Sequence, residues 1–274
     1  GHALALGISP EKYYAMKGYK VVLSKQILLD DIVWLYCRSG ELGCSLDEKL
    51  KTNLIEKYTL LYKEIYENNV GNGSCPSIHE YYQSWKLRGD NPQCYRLEEK
   101  EFNAALETTE LVYFDRFRFN PRVDNNLRRN KRYRDLYYYY HFNKKVREKG
   151  NEVTEFKVTK EYIKLVCIMQ DKMIAELACK GIGIETNPSS NYLIGTIKKY
   201  EEHPILRFNS RKLKATNTGE NLCVSINTDD QGVFDTLLEN EYALMTLALK
   251  KATDDDMNAL YDIEDIYEWI DYVR

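Results

Sequence analysis

The chain has 274 residues, with 39 basic and 42 acidic side chains and a net charge of -3. Apolar residues make up 43% and charged residues 30%, which supports a packed core and excludes wholesale disorder. The charge balance gives no global argument for nucleic acid or an anionic membrane. No stretch approaches the ~18 uninterrupted apolar residues of a spanning helix.

The length is close to the ~250 residues of a complete (β/α)8 barrel. The start, Gly1-His2-Ala3-Leu4, has no basic region ahead of an apolar run and does not read as a signal peptide. Seven cysteines (Cys37, Cys44, Cys75, Cys94, Cys167, Cys179 and Cys223) are scattered, odd in number and without a CxxC. That pattern suggests neither a disulfide framework nor a thiolate zinc site. Reduced buried thiols of a cytoplasmic protein are expected.

Ser9 suits an N-cap and Pro10 the first position of a short helix, which Gly18 can end. The apolar stretch from Val21 to Tyr36 is ambiguous between strand and helix. Ser45-Leu46-Asp47-Glu48 is a capping-box pattern. Behind it Leu50, Leu54, Tyr58, Leu61, Tyr62 and Ile65 recur at helical spacing, so residues 46–69 are expected to form an amphipathic helix. Residues 69–74 (NVGNGS) read as a loop.

Tyrosine occurs 23 times, and 17 of these fall at or before Tyr162, so the two halves of the chain differ in character. From Arg116 to Lys149 there are twelve basic and three acidic residues around Tyr137-Tyr138-Tyr139-Tyr140-His141-Phe142. Interleaved cations and rings can mark a nucleic-acid surface. The same residues also concentrate on solvated or interfacial helical faces. The sequence leaves both open.

From Thr159 the pattern becomes regular. Residues 160–180 read as a long, mostly buried helix ended by Gly181. Residues 182–187 (IGIETN) and 222–228 (LCVSINT) read as strands. A helix is expected from about Val233 to Lys250 and another from Thr253 onward. Such alternation predicts parallel βα units, in which chemistry sits at the carboxyl ends of strands. Glu185-Thr186-Asn187 and Asn227-Thr228-Asp229-Asp230 lie at those ends. Adjacent residues of a strand face opposite ways. One carboxylate of the Asp pair can therefore bind a metal while the other faces a ligand. An N-cap plus a first-turn acid for the next helix is the alternative.

VSINTDD at 224–230 resembles the strand-eight signature of the adenosine and AMP deaminase family, a zinc-dependent branch of the amidohydrolases. IETNPSSN at 184–191 resembles its strand-seven segment, and His203-Pro204-Ile205 the His-Pro element before strand eight. Phe234 to Tyr242 resembles the stretch ending in Glu-Tyr, and Gly1-His2-Ala3 the Gly-His at the end of strand six. All five occur in the family's order. The resemblance implies an α/β fold: the carboxyl-terminal portion, about strands six to eight, of a (β/α)8 barrel of the metal-dependent hydrolase type.

The resemblance further implies that Asp229 is a Zn2+ ligand that holds the attacking water. His2 would take a proton from that water, and Asp230 would hydrogen-bond the purine ring at N7. The reaction would be hydrolytic removal of the 6-amino group of adenosine or an adenine nucleotide. Zinc lowers the pKa of its water to ~7, and histidine suits proton transfer at that pH. His79 and His141 read as ordinary residues of the Tyr-rich half, and His203 as a structural loop residue.

The chain also departs from the family. It has no His-x-His pair and no HxGE-type segment, and Gln231-Gly232 replaces the usual proline. The expectation is a carboxyl-terminal part of a longer polypeptide, or one half of a split enzyme, whose zinc site is completed outside these residues. Residues 1–40 would hold the end of strand six and the segment after it. Residues 41–158 would be a mainly helical insertion, and residues 159–274 would hold strands seven and eight with the terminal helices. A large insertion in a deaminase barrel resembles the deaminase subunit of bacterial RADAR anti-phage systems. That implies a large homo-oligomer with an ATPase partner. A non-catalytic scaffold with a degenerate barrel, and a nucleic-acid binder using the Arg/Tyr segment, are the alternatives.

Overall fold

The computed structural model describes residues 2–66, 74–107, 119–195, 197–213, 221–254 and 256–273, and only the backbone of residues 2–4. It divides into two compact units. One comprises Gly1–Tyr13 with Val166–Arg274, and the other Tyr14–Leu165.

The unit Tyr14–Leu165 opens on strand β1 (Lys20–Ser24), which pairs antiparallel with β2 (Val153–Lys157), Lys20 opposite Lys157 and Ser24 opposite Val153. The ambiguous stretch is therefore both: strand to Ser24, then helix Lys25–Glu41. Ser24 makes the switch. Its backbone is extended, and its hydroxyl accepts from Ile27 N.

The helix expected over 46–69 runs Glu48–Tyr66 and buries Leu50, Leu54, Tyr58, Leu61, Tyr62, Ile65 and Tyr66. Residues 67–69 of that expectation, and the loop at 69–73, lie outside the described residues. Part of the tyrosine excess is core material: Tyr58, Tyr62, Tyr66, Tyr81, Tyr82, Tyr95, Tyr137 and Tyr162 are buried, while Tyr19 and Tyr138 are exposed. Tyr62 stacks on Tyr66 at 5.0 Å, and Tyr81 packs against Tyr58, Tyr62 and Tyr66 at 6.0–6.2 Å. Each buried ring needs a partner for its hydroxyl. Tyr58 donates to Pro76 O (2.8 Å), Tyr66 to Gln26 Oε1 (3.1 Å) and Tyr81 to Asp30 Oδ1 (3.1 Å).

The basic, aromatic stretch folds as the helices Asn125–Arg129, Lys131–Phe142 and Lys144–Asn151. Arg116 and Arg118 lie outside the described residues. Arg128, within the segment that could mark a nucleic-acid surface, is only 3% exposed and is not available to a phosphate. Its guanidinium holds Asp90 in two bonds, Nε to Oδ2 at 2.8 Å and Nη2 to Oδ1 at 2.7 Å. Tyr137 is buried beside it and donates to Asp90 O at 2.7 Å. Arg132 pairs with Glu80 (3.0 Å) and Lys131 with Asp135 (2.9 Å). Part of the cationic excess is thus neutralised within the unit.

In the other unit, residues 2–7 form the helix His2–Gly7. The expectation that a strand ends at His2 therefore meets helical backbone; Ala-Leu-Ala-Leu favours that conformation. Gly7 is required by a close approach, since a Cβ there would fall 2.3 Å from Pro204 Cβ. The expected helix after Thr159 spans Lys160–Cys179, and Gly181 follows with φ +64°.

The two expected strands are present but shorter: β3 (Ile184–Thr186) and β4 (Val224–Ile226). They pair in parallel, Ile184 with Val224 and Thr186 with Ile226. Around them Ile205, Phe208, Leu213, Leu222, Met245, Leu249 and Trp269 form the core. The helix expected over 233–250 is broken. Residues Gln231–Phe234 make one turn, Asp235 takes φ +45°, and the helix Leu238–Lys251 follows. The last helix starts at Ile263 and not near Thr253, because Thr253 bridges Ala259 first.

The described residues are thus a helix-rich α/β arrangement with one parallel and one antiparallel strand pair. No helix among them is long and apolar enough to cross a membrane.

Candidate active site

The parallel register brings two loops to one end of the β3–β4 pair. Asn227 N donates to Thr186 O (2.8 Å) and the Thr186 hydroxyl to Ser225 O (2.8 Å), which holds the strand ends together. After β3, Pro188 begins the helix Pro188–Ile194, a position its fixed φ suits. After β4, the chain turns sharply at Asp229.

Asp229 has φ +63°, a left-handed conformation unusual outside glycine and asparagine or aspartate. Its Oδ2 accepts from the Ser190 hydroxyl at 2.7 Å, and its Oδ1 from Asp230 N at 3.0 Å. The segments that carry the two sequence motifs are therefore joined side chain to side chain. Strained backbone of this kind costs of the order of 1–3 kcal/mol and clusters at functional sites.

Asp230 plays the other part. It caps the turn Gln231–Phe234, its Oδ1 accepting from Gly232 N (2.9 Å) and Val233 N (3.2 Å). The two carboxylates thus separate: Asp230 acts as an N-cap, while Asp229 stands apart at the strand end. At the same end Asn187 Oδ1 is buried without a partner among the described residues.

His203 is 2% exposed. Its Nδ1 accepts from Ile205 N (3.1 Å), so the proton sits on Nε2, which donates to Asn191 Oδ1 (3.0 Å). Asn191 Oδ1 also accepts from Asn187 N (3.3 Å), tying the loop to the end of β3. Both ring nitrogens are spent on structure, as expected of a loop residue. Burial lowers its pKa from 6.5 to about 4. The folded pKa lies below the unfolded one, so the unfolded chain binds the extra proton. The stability this neutral imidazole contributes is present above about pH 6.5 and lost as pH falls toward 4. The loss over that window is roughly 2–4 kcal/mol. Urea midpoints between pH 7 and pH 4 should fall more steeply for the wild type than for His203→Gln. Equal slopes would contradict the assignment.

Sequence reasoning placed Glu241 in the Glu-Tyr pair that ends the Phe234–Tyr242 motif but missed its role. It is fully buried and accepts from Ser189 N (2.8 Å) and from the Thr236 hydroxyl (2.7 Å). In sequence it looks like an ordinary first-turn acid of the helix Leu238–Lys251, where negative charge suits the helix dipole. It also missed a largely apolar cavity of about 460 Å³ lined by Ser189, Tyr192, Tyr200, Phe234, Thr236 and Leu244. Neither Asp229 nor Asp230 lines it.

Residues 165–261 match the adenosine deaminase family. This stretch is adenosine deaminase-like amidohydrolase sequence, and it contains β3, β4, Ser190, Asp229, Asp230 and Glu241. The family is one of hydrolytic deaminases that act on purines, generally with zinc, and it implies a barrel fold. No curated protein matches the chain.

Catalytic zinc sites use three protein ligands. Among the described residues no group of three or more His, Cys, Asp or Glu side chains could hold a metal. Around Asp229 stand a serine hydroxyl and the capping Asp230. The described residues therefore do not by themselves fit a complete zinc site. The side chain of His2 lies outside the described residues, so its expected place beside Asp229 is not part of this geometry.

Proposed function

We propose that this chain supplies the carboxyl-terminal part of a hydrolytic deaminase. It would remove the 6-amino group of adenosine or an adenine nucleotide to give the inosine form. The observation that supports this most is the position of Asp229: at the carboxyl end of a parallel strand, in a left-handed turn, bonded to the serine of the neighbouring motif.

In this reading Asp229 is one ligand of a zinc ion whose other ligands come from outside the described residues. When bound, the metal supplies a hydroxide at neutral pH. Ser190 holds Asp229, Asp230 hydrogen-bonds the ring at N7, and His2 takes the water's proton. The (β/α)8 completion, a role in anti-phage defence, a cytoplasmic homo-oligomer and an ATPase partner belong to the same reading, since a large insertion in a deaminase barrel resembles the deaminase subunit of RADAR systems. The test is incubation of the full-length protein with adenosine, AMP and ATP, read by chromatography and by metal analysis. Inosine or its nucleotide, with zinc bound, is the expected result. Zinc-loaded protein that leaves all three unchanged overturns it.

A second reading, a non-catalytic assembly subunit, is favoured by one observation. Both oxygens of Asp229 already have donors, Ser190 Oγ and Asp230 N. Absence of both zinc and product would support it.

A further inference from the structure

Glu241 is a carboxyl in an apolar surrounding. It shares one buried helix face with the core residues Met245 and Leu249, and among the described residues its partners are a backbone N–H and a hydroxyl, not a cation. A buried carboxyl without a counter-charge is a poor way to gain stability, because removing it from water costs more than two hydrogen bonds return. Its geometry shows another use. Oε2 accepts from Ser189 N and Oε1 from the Thr236 hydroxyl. One side chain thus fixes the first turn of the helix Pro188–Ile194 to the segment that follows Asp235. The next residue in that turn, Ser190, is 1% exposed and aims its hydroxyl at Asp229 Oδ2, 2.7 Å away. Among the described residues no other side chain holds Asp229, and its remaining bond is to the neighbouring backbone at Asp230 N.

We propose that Glu241 is a positioning residue: by clamping the Ser189–Ser190 turn it sets the Ser190 hydroxyl that holds the Asp229 carboxylate in one orientation. This rests on the proposed functional role of Asp229, although the geometry stands without it. Glu241 touches neither substrate nor metal, and it works through three links: carboxyl to Ser189 N, Ser189 to Ser190 along the chain, and hydroxyl to Asp229. The clamp spans two elements and so needs the reach of glutamate. Aspartate is one methylene too short to satisfy both donors. Glutamine can satisfy both, because its oxygen accepts from Ser189 N and the Thr236 hydroxyl rotates to accept from its amide.

The test reads the orientation of Asp229 directly. Three-bond couplings from Asp229 Cγ to its own backbone nitrogen and carbonyl carbon report the χ1 rotamer. They are measured on the full chain without metal or substrate. A single-rotamer pattern is expected in the wild type and in Glu241→Gln. Loss of that pattern to rotamer averaging is expected in Glu241→Leu, Glu241→Asp and Ser190→Ala, with the β3–β4 amide resonances unchanged. Glu241→Asp and Ser190→Ala keep the proposal testable if Glu241→Leu does not fold. A single rotamer at Asp229 in a folded Glu241→Leu or Glu241→Asp chain overturns it. So does a single rotamer in Ser190→Ala. Because no metal or turnover enters the measurement, failure of the deaminase reading leaves the result standing. A deaminase with a freely rotating Asp229 would remove the clamp alone.

Discussion

Asp229→Asn is expected to lower inosine formation by more than about 100-fold, beyond the 10–100-fold usual for losing a supporting group around a metal. Among the described residues at the end of β4, Asp229 is the acid not committed to capping, since Asp230 Oδ1 is taken by Gly232 N and Val233 N. Asparagine keeps the volume and tolerates the left-handed backbone at φ +63°, so the fold should be nearly undisturbed. Its amide cannot supply a second anionic oxygen, and a hydroxyl facing it at 2.7 Å no longer chooses one acceptor. Asp229→Ala should lose activity to the same extent with an added cost of up to about 1–2 kcal/mol, since alanine lacks the local side-chain hydrogen bond that lets Asn and Asp adopt that region. Asp230→Ala should instead lose the cap, about 0.5–2 kcal/mol, and reduce turnover less. Product formed per enzyme, measured beside urea midpoints, separates these effects. Near wild-type turnover in Asp229→Asn would remove Asp229 from the chemistry.

Asp90→Ala is expected to destabilise the Tyr14–Leu165 unit by about 3–5 kcal/mol, the usual consequence of leaving one member of a buried ion pair alone. Four donors converge on this carboxylate. Arg128 Nε and the Tyr95 hydroxyl (2.7 Å) reach Oδ2, and Arg128 Nη2 and Asn120 N (2.6 Å) reach Oδ1. Both partners are almost wholly buried, at 4% and 3% exposure, so alanine would strand a guanidinium out of contact with water. Arg128 also donates to Val123 O (2.9 Å) and Asn120 O (2.6 Å), so it cannot swing out without breaking the turn at 120–123. For a unit of this size the loss is roughly 10 °C in the unfolding midpoint. Removing both partners together, Asp90→Leu with Arg128→Leu, should cost less than Asp90→Ala, since no unpaired charge remains. Calorimetry of the wild type, Asp90→Ala and the double variant checks this. A double variant no better than the single would show that the value lies in shape and not in charge.

The parts of the fold that were legible in sequence are those whose periodicity is local. The apolar spacing from Leu50 to Ile65 gives the helix Glu48–Tyr66, and the run after Thr159 gives Lys160–Cys179. The strand pair and its parallel sense followed from alternation with helices, and Asp229 and Asp230 from the motif around them. What was not legible depends on contacts distant in sequence. Val21 to Tyr36 reads two ways because β1 exists only through β2, more than a hundred residues later. Arg128 resembles a surface cation until Asp90 is beside it. Asp235 breaks the expected helix where its predecessor turn is already capped and the next segment must bring Thr236 to Glu241. Glu241 stands in the Glu-Tyr pair of the Phe234–Tyr242 motif, but its role is not legible there, because an acid in a first turn needs no further explanation.

The pairing of β1 with β2 has a consequence for how such a chain can be assembled. Lys20 and Lys157 are direct partners across an antiparallel ladder, which sets their Cα atoms about 5 Å apart. The chain therefore goes out and comes back through one narrow gate. Everything between those two residues occupies no more span in the surrounding polypeptide than a hairpin turn would. A segment closed at its base in this way can be lengthened, exchanged or lost in one step without stretching the chain on either side. The tyrosine-rich core is thus free to change at a different rate from the strands that carry Asp229.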